Sequence, residues 1–305
     1  MEDRFNCPIC SRLTQVIFRD GRDFFILNGK FRDFAVALCN HCQLGFSLPA
    51  LSNQELSKYY PADYEAFKSR RSLLAQLLKF KYGKDIELIN REMNNKKGLE
   101  VFEIGSGRGE FLNELKKRQF KISGLEPGRS GVEFALRNYG IRLDPRYIED
   151  YNYSQKYDII VIRHTLEHVA QFYKVLEKIK IQGLKKGGLL FIKIPRLDSW
   201  EAKWFGKFWG DFDLPRHRVH FTKWGIINIL DKIGFVEIKV KSEIIPTNFV
   251  RSVEYYSLFG RRKFFRFLAN IFSVLPKVIK LAVGQIIVII LSPLGSGRMI
   301  IVAKK

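Results

Sequence analysis

From residue 99 onward, short apolar runs alternate with amphipathic stretches. Leu99–Ile104, Lys121–Leu125, Tyr157–Ile162, Gly188–Ile194 and Phe235–Val240 read as strands, and the third and fourth are apolar enough to be buried on both faces. Between them, Phe111, Leu112 and Leu115 share one helical face, while Ser130–Asn138, Val169–Leu184 and Trp224–Ile233 predict further helices. This alternation predicts an α/β fold: a mainly parallel sheet with helices on both faces and a ligand beyond the carboxyl ends of the strands. Ahead of it, residues 51–98 form a helical connector. It carries Leu56, Tyr59, Tyr60 and Tyr64, helical spacing through Leu73, Leu74, Leu77, Leu78 and Phe80, and a helix over Asp85–Asn94. Residues 1–50 show short strands at Gln15–Phe18, Asp23–Leu27 and Phe34–Leu38, the first two turning around Asp20-Gly21.

All four cysteines fall in this first segment, as Cys7-Pro8-Ile9-Cys10 and Cys39-Asn40-His41-Cys42. Two residues between ligands let both thiolates of a knuckle face one ion, so Cys7, Cys10, Cys39 and Cys42 predict a structural zinc-ribbon-like module with a closed four-thiolate site. Four unrelated buried thiols, or a redox pair, are the alternatives. His41 is expected to be exposed. Four cysteines in 305 residues are too sparse for a secreted disulfide scaffold. No apolar segment stands behind a basic tip at the start, so no secretory leader is expected and a cytoplasmic location is.

With 46% hydrophobic residues the chain can bury a core, which excludes wholesale disorder. Its net charge of +21 points to an anionic partner, and the distribution narrows the choice. Residues 1–50 carry only +1, whereas 243–305, the most apolar region, carry +8. There Phe264, Phe265, Leu268, Ile271, Phe272 and Leu275 interleave with Arg261, Arg262, Lys263, Arg266 and Lys277. That pattern suits a helix in an anionic membrane interface through residues 251–297, peripheral on the inner face. A buried helical layer or dimer face is the alternative. The charge-free stretch from Lys280 to Arg298 is too short and broken for an expected span. Nucleic acid is the less expected partner, since the ribbon is nearly neutral.

The run Gly105-Ser106-Gly107-Arg108-Gly109 follows the first strand directly. Glycine there lets the backbone turn sharply with no Cβ against a bound nucleoside. Glu103 precedes the run, and Glu126 closes the second strand, where a carboxylate can accept from both ribose hydroxyls. A dinucleotide site would place its third glycine at the position of Glu110, whose charge would repel a pyrophosphate. A cationic, phosphate-free cofactor fits better.

On these residues, 99–242 resemble a class I S-adenosylmethionine-dependent methyltransferase. Val101 to Gly109 match the family's first motif, Glu126 its ribose-binding acid, Tyr157 to Val169 its fourth strand and following segment, and Leu184-Lys185-Lys186-Gly187-Gly188 the turn before the fifth. The resemblance implies a Rossmann-like seven-stranded sheet, closed by an antiparallel hairpin of Phe235–Val240 with Arg298–Ala303. A helical insertion at about 243–297 would lie inside that hairpin, within a methyltransferase domain of 99–305. It also implies that Glu103, Gly105, Ser106, Gly107, Gly109, Glu126 and Arg163 hold S-adenosyl-L-methionine.

His164 directly follows the fourth strand, and with Glu167 and His168 it shares one face of a helical turn. Ubiquinone-type O-methyltransferases have a similar Glu-x-x-Glu-His arrangement that binds a divalent ion. Three readings stay open: a metal site, carboxylate and imidazole shaping the pocket, or His164 as general base, with His217 as a second catalytic candidate. The aromatic stretch Trp200–Phe221 is a candidate substrate lid, with Trp204 and Trp209 to stack on a ring and Arg216 to grip an anion. The alternative is that these aromatics cap the sheet. Its Asp213-Leu214-Pro215-Arg216-His217 resembles a segment of bacterial methyltransferases that carry an N-terminal ribbon, many linked to surface glycans. O-methylation of a small or lipid-linked acceptor, such as a glycan intermediate, is therefore the expected activity. RNA methylation and a non-catalytic adaptor are the alternatives.

Overall fold

The computed structural model describes residues 5–24, 33–60 and 72–305. Phe25, Ile26 and Leu27 of the expected second ribbon strand, and Tyr64, lie outside the described residues, as do the side chains of Leu73, Leu74, Leu77 and Leu78. Three strands open the chain: β1 (Gln15–Gly21), β2 (Phe34–Cys39) and β3 (Leu44–Leu48). A short helix, α1 (Asn53–Ser57), is closed by a capping box in which Ser52 and Glu55 satisfy each other's backbone amides. The two helical stretches read from the connector are one continuous helix, α2 (Ser72–Glu92).

The alternating region then runs β4 (Glu100–Ile104), α3 (Glu110–Lys117), β5 (Lys121–Leu125), α4 (Arg129–Tyr139), β6 (Tyr157–Arg163), α5 (Phe172–Lys178) and β7 (Leu184–Pro195). It continues with α6 (Trp200–Phe205), β8 (Val219–Phe221), α7 (Lys223–Ile233) and β9 (Val236–Glu243). Three helices follow, α8 (Pro246–Phe259), α9 (Lys263–Val274) and α10 (Lys277–Leu291), before β10 (Arg298–Lys304).

The main sheet has the order β5-β4-β6-β7-β10-β9. The first four strands are parallel, and β10 lies antiparallel between β7 and β9, with Ile301 opposite both Ile192 and Val240. Ile159 to Ile162 are fully buried because helices cover both faces of β6, which is why these four consecutive positions are apolar rather than alternate ones. One core layer packs α2 and α3 on the sheet through Ile86, Ile89, Phe111 and Leu112, and the other packs α5 and α7 through Leu176, Ile226 and Leu230.

Two details depart from expectation. The sheet has six strands among the described residues, not seven: next to β5 only one parallel bridge forms, Leu125 to Asp144. Ile141 and Leu143 still enter the core, but the segment meets β5 only around Asp144, whose carboxylate turns onto Arg146. The helix read over Val169–Leu184 is shorter, since Ile179–Gly183 form a wide turn and Leu184 already pairs with Tyr157.

The second sheet is ordered β1-β2-β3-β8. Its fourth strand comes from the far side of the sequence, with Gly45 opposite His220. The cysteine segment is therefore continued by backbone pairing into the α/β body.

Candidate active site

At the end of β4 the chain turns through three left-handed glycines, Gly105 (φ +71°), Gly107 (φ +53°) and Gly109 (φ +71°). A Cβ on Gly105 would stand 2.1 Å from Thr165 Oγ1, so sterics as well as backbone angle demand glycine. Ser106 ties the turn to both strands: its amide donates to Leu125 O (2.8 Å) and its hydroxyl to Glu103 O (3.1 Å). Glu126 is fixed from the other side by the amides of Gly107 and Gly128, each 2.7 Å from one carboxylate oxygen. Each oxygen keeps a second lone pair for a ligand hydroxyl.

These groups face a cavity of about 510 Å³ at the carboxyl ends of β4, β5 and β6, whose walls include Glu103, Glu126, Arg163 and His164. Glu103 is buried, and burial pushes its pKa up to about 7 despite the Arg163 guanidinium 3.6 Å from its Oε1. Its Oε2 has no hydrogen-bond partner among the described residues. Arg163 lies against the rings of Phe111 (4.3 Å) and Tyr82 (4.6 Å) and stands 3.6 Å from Asp85. At the start of α3, Glu110 accepts from the Tyr82 hydroxyl (3.2 Å), placing an anion where a pyrophosphate would otherwise sit. The donor set therefore fits S-adenosylmethionine. Glu126 suits a ribose diol, Glu103 with its unpartnered oxygen suits an ammonium, and Arg163 suits a carboxylate.

Beyond the cofactor side, His164 and Thr165 follow β6 into the cavity wall. His164 adopts a left-handed φ of +53°, and about a third of its side chain is exposed. Its enclosed position, with Arg298, Lys193 and Arg163 nearby, holds its pKa well below the usual imidazole range, so it is neutral. Glu167 Oε1 stands 3.9 Å from His164 Nδ1 and 3.9 Å from His217 Nε2. Burial pushes the Glu167 pKa up to about 8. His217 Nδ1 donates to Asp211 O (2.8 Å), which leaves Nε2 as the lone-pair nitrogen facing Glu167.

Six of the seven expected cofactor residues line the cavity, while Gly109 ends the turn facing Ala135 of α4 instead. The structure separates others. His217 is buried and absent from the cavity wall, standing behind Glu167 and packed on the ring of His168 (centroids 4.7 Å). The expected metal trio is regrouped: Glu167, His168 and His217, not His164, have ligand atoms within 4.8 Å of one another.

None of the expected lid residues lines the cavity. Trp209 is 1% exposed in a core with Phe212 and Leu214, because that layer joins the second sheet to the α/β body. Arg216 is fully buried and clamps Asp23 with two hydrogen bonds (2.7 and 2.8 Å), also binding Asp213 and Tyr59 O. It fastens two parts of the chain rather than gripping a ligand. Trp204 is 71% exposed and away from the site. Four further residues line the cavity that the sequence did not mark as site residues: Asn53 and Ser57 of α1, Tyr60, and Tyr147. Polar residues after a small cysteine module carry no periodic signal of a pocket.

The four cysteine sulfurs also lie within 4.8 Å of one another, with Cys7–Cys42 at 3.9 Å and Cys10–Cys39 at 3.6 Å. Sulfurs at the corners of a tetrahedron around zinc, each about 2.3 Å from the ion, are about 3.8 Å apart. The Ile9 and Cys42 amides point at Cys7 and Cys39 sulfurs, as thiolate-stabilising donors would. The cluster could hold such an ion.

A methyltransferase-domain family profile matches residues 70–240, more than half of the chain. No curated protein matches it in sequence. Among solved structures, an S-adenosylmethionine-dependent methyltransferase from Archaeoglobus fulgidus aligns over 76% of this chain and 94% of its own, with 19% identity and a TM-score of 0.50. Phosphoethanolamine N-methyltransferase 2 of Haemonchus contortus, solved with S-adenosyl-L-methionine, aligns over 93% of this chain and 72% of its own, with 14% identity and a TM-score of 0.54. At those identities the likeness is one of fold. Together with the family match over the glycine turn and Glu126, it places the chain among the class I S-adenosylmethionine-dependent methyltransferases.

Proposed function

We propose that the enzyme methylates a hydroxyl group of a small or lipid-linked acceptor, such as a glycan intermediate. One observation carries this reading: a neutral imidazole, His164, stands at the cavity wall with a buried carboxyl behind it. An amine acceptor can lose its proton before or after attack without help, whereas a hydroxyl gains most from a base held beside it. S-adenosylmethionine, when bound, supplies an electrophilic methyl group on a sulfonium. Glu126 would hold the ribose, with Glu103 and Arg163 on the amino-acid end. His164 takes the hydroxyl proton at the nitrogen away from Glu167, whose uncharged carboxyl stands 3.9 Å from Nδ1 and backs the ring. Thr165, His168 and Tyr60 close the acceptor end, and in-line placement of the acceptor oxygen is the main demand on them. The neighbour from Haemonchus contortus is an N-methyltransferase, so the acceptor atom is the point at issue.

The test is transfer of a labelled methyl group to paired acceptors that differ only in hydroxyl against amine. Preference for the hydroxyl, with a His164→Ala loss of about 10²–10⁴-fold in kcat, is expected. Faster amine methylation that survives His164→Ala would end the O-methylation reading.

The four-cysteine cluster is, in the same proposal, a structural zinc site that stabilises the second sheet and takes no part in chemistry. Metal analysis of protein purified without chelator should give one zinc per chain, and none after Cys39→Ser. Thiol chemistry of this kind accords with a reducing, cytoplasmic setting.

A further inference from the structure

We propose that α9 and α10 form a docking surface for an anionic lipid bilayer and lie in its interface without crossing it. More than half of the large apolar side chains exposed among the described residues fall between Phe264 and Leu294. α9 buries only Ala269, while Phe264, Phe267, Ile271 and Val274 stand 50% or more exposed. α10 packs Gly284 and Val288 against α8, and its opposite side shows Val278, Ile286 and Ile290 to solvent. Contiguous apolar surface on this scale marks an interaction site.

Charge selects the occupant. No Asp or Glu occurs from Tyr255 to Lys305, and exposed Arg261, Arg262, Lys263, Arg266 and Lys277 border the apolar side chains. Four of these cations gather at the amino end of α9, where the helix dipole disfavours positive charge. Arg266 donates to Ser257 O (3.1 Å) and Arg261 stands 3.6 Å from Asp20, but Arg262 and Lys263 remain exposed cations that an anionic surface outside the protein would complement. A second copy meeting this face about a twofold axis would set cations against cations.

The geometry argues for lying flat. Lys277–Leu294 are long and apolar enough to cross a membrane by composition. The helix within them has 15 residues, about 22 Å, against a hydrocarbon core of about 30 Å. One side is held on α8, where Lys280 pairs with Glu254, and both ends of the insertion return to the main sheet at β9 and β10. The inference does not rest on the identity of the methyl acceptor.

The full chain should be spun with vesicles of phosphatidylglycerol and phosphatidylcholine, and with phosphatidylcholine alone. Binding to the anionic vesicles only, weakening as salt rises, is expected. Arg262→Gln with Lys263→Gln should lower partition about 25-fold. Ile286→Ser with Ile290→Ser should also release the protein, each variant keeping wild-type affinity for S-adenosylmethionine. Wild-type protein that ignores anionic vesicles, variants that bind as well as wild type, or a dimer that the isoleucine changes dissociate would overturn the proposal.

Discussion

Glu167 Oε1 lies 3.9 Å from His164 Nδ1, so the imidazole on the cavity wall has a buried carboxyl at its back. That carboxyl also faces His217 Nε2, and its pKa is raised by burial to about 8. The folded state thus keeps Glu167 protonated while the unfolded chain ionises above about pH 4.3. A raised carboxyl pKa makes the folded state bind the extra proton, so stability falls as pH rises from about 4.5 to about 8 and then levels. Glu201, also raised to about 8, adds to the slope. Glu167→Gln removes one ionisation while keeping the shape. Urea midpoints from pH 5 to 8.5 should fall less steeply for the variant than for wild type. Equal slopes would mean that Glu167 is ionised when folded.

Glu103 gives a binding counterpart. Its pKa near 7 will drop when a cation arrives beside its unpartnered Oε2. Binding of S-adenosylmethionine at pH 7 should release about half a proton, and affinity should rise with pH through that region. Calorimetry in two buffers of different ionisation enthalpy measures the release, which Glu103→Gln should abolish.

Gly105 tests the turn. An alanine there carries a left-handed backbone cost of about 1–2 kcal/mol and a Cβ 2.1 Å from Thr165 Oγ1. Gly105→Ala should lose cofactor binding, and adding Thr165→Ala should recover stability in part, because the clash goes while the backbone cost stays. Thermal melts of the single and double variants separate the two contributions.

Arg216 tests the joint between the two sheets. Its guanidinium is wholly buried between Asp23 and Asp213, and removing one member of such a group strands the other charges. Arg216→Ala should cost about 3–5 kcal/mol in chemical denaturation. A change of under 1 kcal/mol would show that the joint is not held there.

What could be read beforehand was what is local. The Gly105–Gly109 turn, Glu126 just after β5, and the apolar runs Ile159–Ile162 and Leu189–Ile192 announce themselves within a few residues. The pairing of Gly45 with His220 and the clamp of Arg216 on Asp23 join segments with long sequence separation, and no periodicity encodes them. For the same reason Trp209 and Arg216 read as a surface lid: their composition suits a pocket, and only tertiary packing turns them inward. The outer strand beside β5 failed through a local cause, since Asp144 and Arg146 satisfy each other in a loop.

The most direct measurement is titration of S-adenosylmethionine into wild-type protein and Glu126→Ala. Loss of two hydrogen bonds to a carboxylate corresponds to about 3 kcal/mol or more, so the variant should bind on the order of 100-fold more weakly. Wild-type protein that binds no S-adenosylmethionine, or binds it equally well without the Glu126 carboxylate, would contradict the cavity's assignment as the methyl-donor site.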